Sequence, residues 1–247
     1  MNYPMVLNND RELIDAFSKY WYNKGQLQLR IGGDDPHGVV TQLEAYYQNM
    51  LIQKCPLDLW IYQEILWGCK PDLIIEGGTA SGASAKFLAD TLDRVTNDER
   101  HSEQFYHPAV ITIDIDNRLA IVPKHQRITY LVGDTLWVGI LIEIQRTITA
   151  LQRFLDREPQ VMVILDDDHS AEHVLKELKE YSKFVTVGQY LIVEDTNVDH
   201  PLGFGDGPGK AVRDFLLEED DVIFEVDRQR EKFLMTWNPG GYLRRVR

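Results

Sequence analysis

Cysteine is scarce in this chain: Cys55 and Cys69 are the two among 247 residues. Two thiols cannot staple a disulfide scaffold, and both are read as reduced and buried. No apolar run approaches the roughly 20 residues that a membrane-spanning helix needs. The opening Met1 to Asp10 lacks the basic-then-apolar pattern of a secretory signal, so the expectation is a cytoplasmic protein with no membrane span. Positive charge is in deficit, with 26 Lys and Arg against 39 Asp and Glu and a net charge of −13. That balance opposes wrapping a phosphate backbone and makes nucleic acid an unexpected partner. Internal repeats and low-complexity tracts are lacking too. Two nucleotide signatures are missing as well. Gly78 is followed by Ala80 where G-x-G-x-x-G needs glycine, and no G-x-x-x-x-G-K-[ST] loop occurs, which disfavours NAD and nucleotide hydrolysis.

What is present is a hydrophobic fraction of 44%, enough for one sizeable α/β core with an appendage. The first 70 residues read as a helical appendage. Its helices are expected over Asp10 to Asn23, Gln42 to Gln53 and Leu57 to Gly68, with an irregular stretch and a Gly32–Pro36 turn between the first two. Residues 71–247 then alternate strand and helix. Strands are expected over Asp72–Glu76, Ala109–Asp114, Arg127–Val132, Val161–Leu165 and Leu191–Val193. Helices are expected over Gly82–Leu92, Trp137–Asp156 and Ala171–Phe184, and Arg94 to Pro108 reads as an exposed loop. At the end, Val222–Val226 and Phe233–Trp237 are close enough in sequence that only antiparallel pairing is possible. The expectation is a Rossmann-like, doubly wound, seven-stranded sheet. Five parallel strands plus an antiparallel C-terminal hairpin make the layout of class I methyltransferases.

The functional signal is concentrated at strand ends. The run Val161–Leu165 stops in Asp166-Asp167-Asp168-His169, and Leu191–Val193 stops in Glu194-Asp195. A strand–helix–strand connection makes these two strands parallel and puts both acidic ends on the edge where such sheets bind ligands. Carboxylates gathered there repel unless a positive group sits among them. Asp166, Glu194 and Asp195 are therefore candidate oxygen ligands for a hard divalent cation such as Mg2+. A hydroxyl bound beside such an ion loses its proton more readily, and His169, three residues after Asp166, is placed to take it. His200 is a second base candidate in the glycine- and proline-rich stretch Thr196–Lys210, which reads as a substrate-facing loop. His173 lies one helical turn beyond His169, which makes a two-histidine pair conceivable, but H-E-x-x-H is not present.

The other half of the edge points to an adenosyl cofactor. Glu76-Gly77-Gly78-Thr79-Ala80-Ser81-Gly82-Ala83-Ser84 joins the first core strand to its helix. Its glycines allow a sharp turn and close backbone approach, and the helix N-terminus suits a carboxylate. Asp114 ends the next strand where an acid commonly accepts from a ribose diol. Asp134 ends the third, beside the expected adenine.

Taken together, these residues resemble the cephalosporin hydroxylase and rhamnosyl O-methyltransferase family. The resemblance runs through Pro56–Tyr62, Lys70–Ser84, Ile113-Asp114, Leu165-Asp166 with His169, and Ile192–Asp195. It continues through Gly207-Pro208 with Ala211-Val212 to Pro239–Leu243, so it covers about residues 45 to 245. It implies S-adenosylmethionine held by Glu76, Gly78, Thr79, Ser84, Asp114 and Asp134, and magnesium on Asp166, Glu194 and Asp195. It also implies methyl transfer to a hydroxyl of a small-molecule acceptor, a sugar or secondary metabolite, and frequent homo-oligomers. Asp166-x-x-His169 is similar to the metal-ligand Asp and base Lys of catechol-type methyltransferases, with His in the place of Lys. The chain departs from many family members at Gly77 and Ala83, where Thr and Gly are expected. No iron site of two histidines and one carboxylate is evident to support hydroxylation.

Two other classes remain open on sequence. Asp114-Ile115-Asp116 is a D-x-D pattern of the kind that serves metal-dependent glycosyltransferases and phosphatases, although here it precedes Asn117-Arg118. A protein that keeps the cofactor pocket without turnover, as a partner to a hydroxylase, is the third reading.

Overall fold

A computed structural model describes residues 45–97, 107–116, 124–199, 206–218 and 223–247. The helix expected over Asp10–Asn23, the Gly32–Pro36 turn and His200 lie outside these.

The strands follow from unbroken apolar runs, because a parallel strand covered on both faces has no solvent side to make polar. β3 (Leu73–Gly77) and β6 (Val161–Leu165) are buried at every position, as is β7 (Tyr190–Val193). β4 (Ala109–Asp114) and β5 (Ile128–Val132) complete the parallel part, with Leu73 opposite Ala109 on one side and Val161 on the other. The runs at Ala109–Asp114 and Val161–Leu165 form the strands expected of them.

Alternate residues divide the core in two. Leu73 and Ile75 face one layer with Ile144, Val174 and Leu178. These come from α3 (Val138–Leu155) and α4 (Ala171–Tyr181), and Val212 of α5 (Pro208–Leu217) joins the same layer. Ile74 faces the other layer with Ile65, Leu66, Leu88 and Leu92 of α1 (Pro56–Cys69) and α2 (Ala83–Thr96). Pro56 opens α1, where its missing N–H costs nothing, and Lys70 ends it in the left-handed region. Among the described residues no helix is long and apolar enough to cross a membrane.

The sheet closes with β8 (Phe224–Val226) and β9 (Tyr242–Arg245), both antiparallel to their neighbours, in the order β5-β4-β3-β6-β7-β9-β8. Seven strands, five of them parallel, with an antiparallel end, is the expected architecture. The partner of β8 differs. Phe233–Trp237 is not the second hairpin strand; Tyr242–Arg245 is. Asp58 takes the hydroxyl of Thr236 at 2.6 Å and the backbone N–H of Trp237 at 2.9 Å, and Tyr242 and Leu243 are the fully buried pair that fills the gap beside β7.

The helix expected over Gln42–Gln53 is also corrected. From Ala45 the chain forms a two-stranded hairpin, β1 (Ala45–Tyr47) and β2 (Met50–Ile52). Gln48 and Asn49 both take positive φ, 49° and 64°, the mirror-image turn that matches strand twist. Tyr47 then seats the hairpin on α2, edge-on to Phe87 and bonded through its hydroxyl to Asp90 at 2.8 Å. Part of the expected Thr196–Lys210 loop is a short 3-10 turn at Thr196–Val198 and the start of α5.

Candidate functional site

The carboxyl ends of the five parallel strands share one edge, and a cavity of about 740 Å³ opens along it. Gly78, Thr79, Ser84, Asp114 and Asp134 line one part. Asp166, His169 and Asp195 line another, together with Lys54. Seven of the predicted side chains and the Gly78 backbone therefore face one space.

The glycine turn has a specific steric cause. Gly78 sits at φ +89°, and a Cβ there would lie 1.9 Å from the Asp166 carbonyl oxygen, an overlap no backbone shift could absorb locally. The absent side chain lets β3 and the Asp166 segment approach while keeping the turn open toward the cavity. Asp114 is held rigidly: one carboxylate oxygen accepts from Ala80 N at 2.9 Å and the other from Asp116 N at 3.0 Å. The first of the two D-x-D acids thus ties the turn to β4. Asp134 accepts from Leu136 N at 2.7 Å. Glu76 is fully buried beneath the turn, accepting from Ser84 and from the Thr112 hydroxyl at 2.7 Å, while Thr79 and Thr112 share a hydrogen bond of 2.7 Å. Glu76 supports the cofactor turn from behind.

At the acidic end the structure adds a residue that the sequence reading missed. The Lys54 ammonium donates to Asp166 and, at 2.5 Å, to Glu194 Oε1, with only 4% of the lysine exposed. Tyr62 donates to the same Glu194 oxygen at 2.6 Å. Glu194 therefore sits with Lys54 and Tyr62, whereas Asp166, His169 and Asp195 converge, their ligand atoms all within 4.8 Å of one another. His169 Nε2 lies 3.0 Å from Asp195 Oδ2. Asp195 itself takes a left-handed backbone, φ 56°, and its N–H donates to Asn238 at 3.0 Å, so the turn after β7 is held in an unusual conformation at the site. Lys54 was legible in principle as the sole basic residue between Ala45 and Cys69.

The charge states show that one ammonium does not balance this cluster. Burial works against the Lys54 cation, yet the charges of Asp166, Glu194 and Glu76 raise it well above its ordinary range. Burial and neighbouring acids push Asp166 up to about 6 and Glu194 up to about 8, despite Lys54. The lysine sees several anions, while each anion sees one lysine and further anions. Burial likewise opposes the His169 imidazolium, but the hydrogen bond and charge of Asp195, with the charge of Asp166, push it up to about 9. Asp195 Oδ1 is buried without a hydrogen-bond partner. Acids that raise one another, an orphaned carboxylate oxygen and a set of oxygen and imidazole donors fit a divalent cation.

The chain resembles known proteins over most of its length. Residues 40–246 match the family described as Rhamnosyl O-methyltransferase/CmcI. The rhamnosyl O-methyltransferase of Mycobacterium tuberculosis is 32% identical over 212 residues, covering 84% of this chain and 80% of the relative. The rhamnosyl O-methyltransferase of Mycobacterium leprae is 32% identical over 191 residues, 75% of this chain and 76% of its own length. Among solved structures, CmcI in its Mg-SAM form superposes with a TM-score of 0.62 at 21% identity, over 88% of this chain and 84% of that one. CmcI with SAH gives 0.59 at 20% identity, over 88% and 90%. At these identities the structural likeness speaks for the fold.

Proposed function

The chain belongs to the rhamnosyl O-methyltransferase/CmcI family, and from that premise we propose that it is a magnesium-dependent O-methyltransferase that moves the methyl group of S-adenosylmethionine to a hydroxyl of a sugar or secondary metabolite. The observation that carries this reading is the cavity joining the Gly78 turn to the Asp166–His169–Asp195 cluster. Relatives named for rhamnosyl methylation, and a CmcI structure described with Mg-SAM, support the donor, the ion and the acceptor class.

When bound, S-adenosylmethionine supplies an electrophilic methyl group, and a divalent cation makes a nearby hydroxyl easier to deprotonate. Gly78, Thr79, Ser84, Asp114 and Asp134 would hold the cofactor, with Glu76 bracing Ser84. Asp166, Glu194 and Asp195 would hold the ion. His169 would accept the acceptor's proton at Nε2. In the arrangement described above the imidazole keeps its own proton at neutral pH; further positive charge beside Asp166 and Asp195 lowers its pKa and frees Nε2 to act as base. Lys54 holds Asp166 and Glu194 at one place, which keeps the ligands positioned.

The test incubates the full chain with S-adenosylmethionine and a panel of rhamnosyl and other hydroxyl acceptors, following S-adenosylhomocysteine by mass spectrometry with and without a chelator. The expected result is turnover with at least one acceptor, abolished by chelation and restored by Mg2+. Tight cofactor binding with no transfer across the panel would sink the enzymatic reading, and turnover indifferent to chelation would sink the metal.

A further inference from the structure

Beside the glycine turn lies a second group of chelating side chains: Asp167 lines the same cavity, and His173 and Glu177 stand outside its lining. His173 and Glu177 are four residues apart on α4, one helical turn, so both side chains leave the same face. Asp167, from the loop between β6 and α4, meets them there. The ligand atoms of Asp167, His173 and Glu177 lie within 4.8 Å of one another.

Ion pairing accounts for this group only in part: His173 pairs with both acids at long range, and the Thr135 hydroxyl lies 3.4 Å from its Nε2. His173 Nε2 is 3.6 Å from Asp167 Oδ2 and 3.8 Å from Glu177 Oε1, both too long for a hydrogen bond. Glu177 is completely buried, and neither of its carboxylate oxygens has a hydrogen-bond partner; Asp167 Oδ1 is buried and unpartnered too. A carboxylate taken out of water with no donor costs several kcal/mol, and one imidazolium at these distances leaves three such oxygens without a hydrogen bond, a deficit that an ion among them would fill. The spacing suits one. Ligands about 2.1 Å from a common ion at tetrahedral angles stand about 3.4 Å apart.

The surroundings have the form of a metal site. The Thr135 hydroxyl donates to Asp167 Oδ2 at 3.0 Å, the kind of hydrogen bond that orients a ligating carboxylate. Gly77 faces the group: a Cβ there would stand 3.3 Å from Thr135 Cγ2, 3.7 Å from Glu177 Oε1 and 3.8 Å from the Asp167 carboxyl carbon. His173 and Asp167 keep 23% and 21% of their side chains exposed, which leaves an entry path.

We propose that Asp167, His173 and Glu177 form a second divalent-cation site, separate in its ligands from Asp166, Glu194 and Asp195. One imidazole and two carboxylates suit a borderline first-row ion of the zinc class better than magnesium. The site holds α4 to the back of the cofactor turn and carries no catalytic role.

The test strips the full chain with a chelator and titrates it with Co2+, a coloured stand-in for zinc, by visible absorption and calorimetry. Asp195→Asn is the background, so that the first site is disabled. In that background the chain should still bind one equivalent with the absorption of an imidazole-containing site. Adding His173→Gln or the isosteric Glu177→Gln should weaken that binding at least tenfold. Binding unchanged by both substitutions would overturn the proposal and leave His173 as a protonated imidazole among acids. Should the variants fail to fold, the unsubstituted chain decides the matter by footprinting. Zinc should protect the His173 ring, resolved from His169 by fragmentation of the peptide, from diethylpyrocarbonate, and equal labelling of His173 with and without zinc would overturn the site.

Discussion

Replacing Lys54 by methionine tests the electrostatic reading of the acidic end most directly. The ammonium lies 2.5 Å from Glu194 Oε1 and also contacts Asp166, with 4% of Lys54 exposed and 3% of Glu194. At an effective dielectric constant of about 20, one contact at that distance is worth about 7 kcal/mol of attraction, most of which offsets the desolvation of the two charges. Methionine keeps the length of the side chain and removes the charge, leaving two buried acids, already pushed up to about 6 and about 8, without their cation. Breaking a buried pair in this way costs about 3–5 kcal/mol. For a chain of this size, each kcal/mol lowers Tm by about 2–4 °C, so a fall of about 6–20 °C is expected. Magnesium adds a second, diagnostic arm. An ion at one hundred times its Kd contributes about 2.7 kcal/mol to the folded state. In Lys54→Met it meets carboxylates freed of a competing ammonium, so its stabilisation should exceed that of the unsubstituted chain. The assay is thermal unfolding by circular dichroism with Mg2+ or chelator. A variant melting within about 2 °C of the parent would refute the buried-cluster argument. Equal stabilisation of both proteins by Mg2+ would refute the competition between lysine and ion.

Two further outcomes follow from the same geometry. His169→Ala should lower kcat by about 10²–10⁴-fold while S-adenosylhomocysteine affinity by calorimetry stays within error, since the proposed base would touch the acceptor and not the cofactor; a variant retaining more than half of the parent rate would remove His169 from the chemistry. Asp58→Asn should lower Tm by about 2–12 °C, because the new amide N–H₂ meets donors, and an unsatisfied buried donor costs about 1–3 kcal/mol at a group receiving Thr236, Trp237 and Tyr242. Burial pushes Asp58 up to about 6, above its ordinary 3.8. The folded chain therefore binds that proton more tightly than the unfolded one, and this contribution to stability declines as pH rises through about 4 to 6. The stability gap between parent and Asp58→Asn should narrow over that interval, and a constant gap would contradict the assignment.

The parallel strands and their acidic ends were legible in the sequence because both are written locally. Val161–Leu165 is a run of five apolar residues, a strand covered on both faces has no other pattern, and chain connectivity alone places Asp166 and Glu194-Asp195 on one edge. The Gly78 turn was equally plain, although the overlap that requires it, with the Asp166 carbonyl, is a contact across two strands. Errors arose where several structures suit the same few residues. Ala45–Ile52 has apolar residues compatible with a helix, and two left-handed residues at Gln48-Asn49 made it a hairpin. Phe233–Trp237 has strand composition, but Asp58, far earlier in the chain, holds Thr236 and Trp237 away from the sheet.

The sequence by itself determined the sheet, the glycine turn and a cluster of carboxylates awaiting positive charge, since backbone periodicity and chain order suffice for those. Only the tertiary structure decided which charge meets which. It brought Lys54, from the link between β2 and α1, and Tyr62 of α1 onto Glu194, set His169 against Asp195, and left Glu177 buried without a hydrogen bond. The strength of each of these interactions depends on distance and on exclusion of water, and neither exists until distant segments pack together.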